Sequence, residues 1–149
     1  DPERIRRLVE ITGFFSPSEV EVAIELAHER LVKGPLSDYH FILAEHYGRL
    51  VGYVCYGPIP CTASSYDIYW IAVHPDMQGK GLGRAVLNDA ERLIKESGGT
   101  RIYVDTSQRV QYTSTRAFYE SCRYRLDGVL SDFYAPGEGK AIYFKSIDS

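Results

Sequence analysis

Residues Val73-His74-Pro75-Asp76-Met77-Gln78-Gly79-Lys80-Gly81-Leu82-Gly83-Arg84 constrain this chain more than any other stretch. An apolar run ends at a proline, a turn with three glycines follows, and the first turn of an amphipathic helix opens at Gly81 or Leu82. Glycines let a backbone come close to a ligand, and the first turn of a helix offers N–H groups with no internal acceptor on the positive end of the helix dipole. Lys80 and Arg84 add positive charge there, so the turn suits an anionic group such as a diphosphate. A Gly-rich turn can also merely reverse the chain. The strand before, the helix after and the flanking bases favour a ligand. The turn matches neither common nucleotide loop: GxxxxGK[ST] is absent, and Gly81-Leu82-Gly83 runs on as Arg84-Ala85-Val86 where a dinucleotide loop needs a further glycine.

On either side the chain reads as one domain spanning 1–149, with no repeat and no linker. Pro2 to Ile11 is amphipathic. Ser16-Pro17-Ser18-Glu19 is a capping box with proline at the first helical position, and Val20, Ala23, Ile24, Ala27 and Leu31 follow at helical spacing up to Gly34-Pro35. Tyr39 to Glu45 and Leu50 to Tyr56 flank a hairpin turn at Tyr47-Gly48-Arg49, and Asp67 to Val73 is a strand apolar enough for mid-sheet. Leu82, Ala85, Val86, Ala90, Leu93 and Ile94 make one helical stripe. Arg101 to Asp105 is a strand, Ser114 to Cys122 a helix, and strands at Arg125 to Tyr134 and Lys140 to Ile147 end the chain. This order predicts a mixed sheet covered by helices, an α/β (α+β) domain.

Composition excludes several classes. Hydrophobic residues make up 44% and charged residues 25%, ordinary for a globular chain. A formal net charge of −3 argues against nucleic acid as a partner, and no apolar run is long enough to cross a membrane. Asp1 to Arg7 are charged and carry no apolar signal segment. The missing initiator Met suggests a trimmed start that could lack a first element. Cys55, Cys61 and Cys122 make no metal-ligand spacing and no CxxC, which fits free thiols in a reducing cytoplasm and predicts no metal. His28, His40 and His46 have no partner spacing either.

Two motifs together resemble the GNAT superfamily of acetyl-coenzyme-A-dependent N-acetyltransferases. Gln78, Gly81 and Gly83 fit its [Q/R]-x-x-G-x-[G/A] cofactor motif after Val73-His74-Pro75, and Thr115-Arg116-Ala117-Phe118-Tyr119-Glu120 resembles its helix with an F-Y pair. The element order is similar from Tyr39 to the end, although no equivalent of the family's first strand is evident.

The resemblance implies a mostly antiparallel central sheet flanked by helices, with a splayed parallel strand pair forming the coenzyme A cleft. It implies acetyl-CoA as co-substrate, held by N–H groups from Gly79, Lys80, Gly81, Leu82, Gly83 and Arg84. Backbone groups of Ile71, Ala72 and Val73 would pair with the pantetheine arm, and Thr115 and Phe118 would lie on the cofactor helix. Tyr119 aligns with the tyrosine that protonates the departing thiolate, and Asp67 with an acidic position that often serves as general base. Each also has a plain reading, Tyr119 as a core aromatic and Asp67 as a solvated strand residue. His74, in the turn before the cofactor loop, reads as structural. The chain departs from the family at Tyr112 (usually Asn), Thr115 (usually Ala), Arg123 (usually Gly) and Tyr124 (usually Phe).

The chemistry needs a way for the ammonium to lose a proton, fixed donors for an oxyanion, and only modest help for a thiolate that already leaves well. No Cys sits in a recognisable nucleophile setting with His, so direct attack by the amine is expected, and Cys122 reads as a small buried thiol. The acceptor would be a small-molecule primary amine, met by Phe14, Phe15, Tyr39, Tyr56 and the turn at Asp132 to Tyr134. Tyr66, Tyr69 and Trp70 either line that pocket or fill the core. A non-catalytic acyl-coenzyme A sensor and a protein N-acetyltransferase are the alternatives, and assembly as a homodimer stays open.

Overall fold

Helix α1 (Pro2–Ile11) and helix α2 (Pro17–Lys33) form where apolar residues recur at helical spacing. The box at the start of α2 closes in both directions: Glu19 N donates to Ser16 Oγ at 3.2 Å, and Ser16 N donates to Glu19 Oε1 at 2.9 Å. At its other end Gly34 takes φ 58° and its N–H donates to Arg30 O. The computed structural model describes residues 2–13, 15–34, 37–109 and 112–147, so Phe14 and Pro35 lie outside the described residues.

Strands β1 (His40–His46) and β2 (Arg49–Pro58) pair antiparallel across Tyr47-Gly48. Both turn residues have positive φ, 51° and 75°, the combination a two-residue hairpin needs to match strand twist. Then come β3 (Ser65–Val73), a single 3-10 turn at Pro75–Met77, α3 (Leu82–Glu96), β4 (Arg101–Ser107), α4 (Thr113–Ser121), β5 (Arg125–Ala135) and β6 (Glu138–Ser146). The strands hydrogen-bond in the order β1-β2-β3-β4-β6-β5. This is the expected mixed, mostly antiparallel sheet with helices, and β3 and β4 are its parallel pair.

The chain forms two compact units, residues 1–57 with 69–93, and residues 58–68 with 94–149. In the first, Ile5, Leu8 and Val9 of α1 and Val20, Ala23, Ile24 and Ala27 of α2 bury against Leu50, Tyr53 and Cys55 of β2 and Ala72 of β3. Leu31, expected in the α2 stripe, is instead 62% exposed, so the buried face stops at Ala27. The α3 stripe is also displaced. Leu87 is fully buried with Val86, Ala90 and Ile94, while Ala85 is exposed. At about 100° per residue the buried arc runs from Val86 to Leu87, and Ala85 falls one step behind it.

In the second unit, β4 alternates between two faces. Ile102, Val104 and Thr106 are buried with Ala141 and Tyr143 of β6, and α4 packs there through Tyr143 Oη to Glu120 Oε2 (2.9 Å) and Lys145 Nζ to the Cys122 carbonyl (3.1 Å). Strand β4 is two residues longer than expected, because Thr106 and Ser107 still pair with Ala141 and Lys140. Strand β5 ends the sheet order and exposes Leu126, Val129, Leu130, Phe133 and Tyr134. Its register with β6 shifts between Leu126 and Gly128 and again between Leu130 and Ala135. In the second irregularity Asp132 takes φ 56° and its Oδ1 accepts from Gly137 N at 2.7 Å. All three thiols are free, Cys61 exposed and Cys55 and Cys122 buried.

Candidate active site

The glycine turn forms as the residues dictate. His74 is buried, its N–H donates to Val51 O at 2.7 Å, and its Nδ1 accepts from Asp76 N at 3.1 Å, which caps the 3-10 turn. His74 is therefore a structural residue here. Gly79 and Gly81 take φ 76° and 83°, a region costly for side-chain-bearing residues, with open space where a Cβ would stand. Gly81 O accepts from Ala85 N at 3.0 Å, the first helical bond of α3. Leu82, Gly83 and Arg84 form the first turn, at the positive end of the helix dipole. Lys80 and Arg84 are exposed beside it. This open backbone cradle at a helix start, with two bases, fits a diphosphate. The Gln78 side chain takes a different post, its Nε2 donating to the Val73 carbonyl at 3.1 Å. Ile71 and Val73 are half-buried and Ala72 buried on the strand just before.

Asp67 lies in β3 opposite Tyr103 of β4, and the parallel ladder runs only from Ser65–Arg101 to Ile68–Val104. β4 continues for Asp105, Thr106 and Ser107 beyond the end of that ladder. Asp67 is half-buried, and its carboxyl is pushed up to about 6, first by burial and then by the negative charge of Asp105, against the opposing charge of Lys140. That value suits a base working near neutral pH.

Tyr119 is buried on α4, with Phe118 and Tyr124 rings edge-on at 5.3 and 5.6 Å. Burial raises its phenol well above the usual value, so it holds its proton at every ordinary pH. Thr115 and Phe118 are half-buried on the same helix. Tyr112 stands at the N-cap of α4 without a side-chain cap hydrogen bond, and its ring lies 5.3 Å from the Arg109 guanidinium. Arg123 stands at φ 73° and is exposed, which explains why glycine is usual there.

The structure does not put Asp67 and Tyr119 on one face. Asp67 shares the face of Tyr103, whereas α4 packs on the face of Val104 and Tyr143.

The residues expected around an acceptor are largely core-facing. Trp70 packs on Phe15 at 4.8 Å between ring centroids and Tyr69 on Tyr39 at 5.3 Å, all four against the core of the first unit. Tyr56 is buried beside His40. Phe133 and Tyr134 are exposed. The sequence reading missed Asp105 and Lys140 next to Asp67. The period-2 pattern of β4 places Asp105 on the Tyr103 face, but nothing local shows that β6 lies alongside.

A family model described as the acetyltransferase (GNAT) family matches residues 7–124. Among solved structures, an acetyltransferase assigned to the GNAT family from Desulfovibrio desulfuricans is 43% identical, covers 98% of this chain and 92% of its own, and superposes with a TM-score of 0.96. An aminoglycoside 6'-N-acetyltransferase complexed with coenzyme A is 19% identical over 99% of this chain and 91% of its own, with a TM-score of 0.77. The PaiA N-acetyltransferase of Thermoplasma acidophilum, in complex with coenzyme A, is 19% identical over 98% and 90%, with a TM-score of 0.72. At 19% the likeness is one of fold. No curated protein matches the chain.

Proposed function

Because the chain belongs to the GNAT acetyltransferase family, we propose that it moves the acetyl group of acetyl-coenzyme A directly onto the primary amine of a small molecule. The observation that carries the amine is Asp67, a half-buried carboxyl raised to about 6 next to the end of the parallel ladder. A primary ammonium must lose a proton before its nitrogen can attack, and a carboxylate of this basicity takes that proton, directly or through one water.

The turn Gly79–Arg84 supplies main-chain N–H groups and the charges of Lys80 and Arg84 to the diphosphate. The pantetheine arm pairs with main-chain groups of Ile71 to Val73, where the Val73 carbonyl also accepts from Gln78. The amine nitrogen attacks the thioester carbonyl, the carbon–sulfur bond breaks as the sulfur takes the proton of Tyr119, and the second N–H proton, lost as the amide forms, returns through solvent to the Tyr119 phenolate. Burial keeps that phenol protonated and so able to donate, but makes it a weak acid, in keeping with the modest help a departing thiolate needs. Thr115 and Phe118 line the coenzyme from the same helix.

Thiol release from acetyl-coenzyme A, measured with a panel of amino acids, polyamines and amino sugars, tests the reaction. Amine-dependent release is expected from at least one class. A chain that binds the coenzyme and releases thiol with none of them would be a sensor or a protein N-acetyltransferase. Gly81→Asp tests the turn by calorimetric titration with coenzyme A. A carboxylate forced into φ 83° beside the diphosphate should abolish measurable binding while the circular dichroism stays native. Unchanged titration would move the coenzyme elsewhere.

A further inference from the structure

We propose that Asp105 and Lys140 act as a positioning pair for Asp67, a carboxylate that holds its proton in place and an ammonium that keeps that carboxylate in check. The inference rests on Asp67 being the base, and neither partner is assigned contact with substrate.

The geometry is a row across three strands. Asp67 of β3 stands opposite Tyr103 of β4, and Asp105, two residues on, returns to the same face. Two residues along a strand span about 6.6 Å and neighbouring strands lie about 4.8 Å apart, which separates the two positions by about 8 Å, within reach of a charge through a half-dry surface. Lys140 of β6 pairs with Ser107, again two residues from Asp105 and on the same face. Its Nζ lies 3.0 Å from Asp105 Oδ2 and 4.3 Å from the centre of the Phe133 ring. The ammonium is thus gripped by a carboxylate and an aromatic face, and its side chain is only 18% exposed, against 41% for Asp105. Tyr103 stands opposite Asp67 in the ladder, and the charges that act on Asp67 are those of Asp105 and Lys140, in opposite senses.

An isolated ion pair linking β4 to β6 would be worth little and would leave Asp67 indifferent. The row predicts the reverse, and with opposite signs for its two members. Lys140→Met leaves Asp105 uncompensated, so Asp67 should release its proton at a higher pH, by about one pH unit for a charge at this range. Asp105→Asn removes the repulsion and leaves the ammonium, so the midpoint should fall by about as much. The double variant should lie between them.

The experiment follows the Asp67 carboxyl by carbon-detected NMR titration in full-length protein of each variant, identified by its absence in Asp67→Asn, together with kcat/KM against pH. Midpoints that move in opposite directions, followed by the acidic limb of the rate, are the expected result. Midpoints that stay within a few tenths of wild type overturn the positioning pair. Midpoints that move while the acidic limb stays fixed uphold the pair and remove Asp67 as the base.

Discussion

Replacing Asp67 by Asn should make this protein sturdier and slower at once. Burial, followed by the charge of Asp105, lifts the carboxyl from 3.8 to about 6 in the folded state. At 1.36 kcal/mol per pH unit the ionised form costs the fold at most about 3 kcal/mol, and solvent screening at a half-buried position cuts that to about 1–1.5 kcal/mol. The sign follows from proton binding. Between about pH 4 and 6 the folded chain holds a proton that the unfolded chain has lost, so stability falls as pH rises through that window and stays reduced above it. Asn carries no charge and escapes the penalty. The variant should match wild type near pH 4 and exceed it by about 1–1.5 kcal/mol at pH 7.5, roughly 2–6 °C in Tm for a domain of this size. Thermal unfolding of both proteins by circular dichroism at the two pH values measures this, and the same preparations give kcat/KM, expected to drop ~100-fold or more with loss of the acidic limb. Equal stabilities at both pH values would refute the desolvation argument, whatever happens to the rate.

Tyr119→Phe should lower kcat by ~10–100-fold and leave coenzyme affinity nearly unchanged by titration, since the thiolate leaves well without much help. Arg123→Gly should raise stability by about 0.5–1 kcal/mol in denaturant unfolding, because φ 73° costs a side-chain-bearing residue more than glycine adds in unfolded-chain entropy. Leu87→Ala should cost about 2–5 kcal/mol and Leu31→Ala under about 0.5, a contrast that the stripes read from the sequence would not have ordered this way.

Features set by neighbours in the chain were legible in advance. Ser16 and Glu19 cap each other three residues apart, Tyr47-Gly48 turns a hairpin, and Gly79 and Gly81 bend the strand end into α3, all within one turn of chain. The residues misread were those whose surroundings are distant. Leu31 and Ala85 fit a helical period yet face water, since period says which residues share a face but not how wide a partner covers it. Asp105 and Lys140 meet only because β6 inserts between β4 and β5, a strand order that sequence spacing does not encode. Asp67 was found by its place at the start of the central strand, but its basicity depends first on burial and then on the charge of Asp105, and so became readable only from the fold.

The irregular course of β5 has a bearing on how this protein behaves at high concentration. A terminal strand that exposes Leu126, Val129, Leu130, Phe133 and Tyr134 resembles the template on which chains stack into insoluble polymers. Here the template is cut short. The bulge beside Gly128 and the kink at Asp132, pinned by the Gly137 N–H, break the edge into stretches too brief to recruit another strand, and Asp127 sets a charge between them. An edit that straightened this segment, for instance by deleting Asp132, would remove that guard while touching none of the residues that do the chemistry.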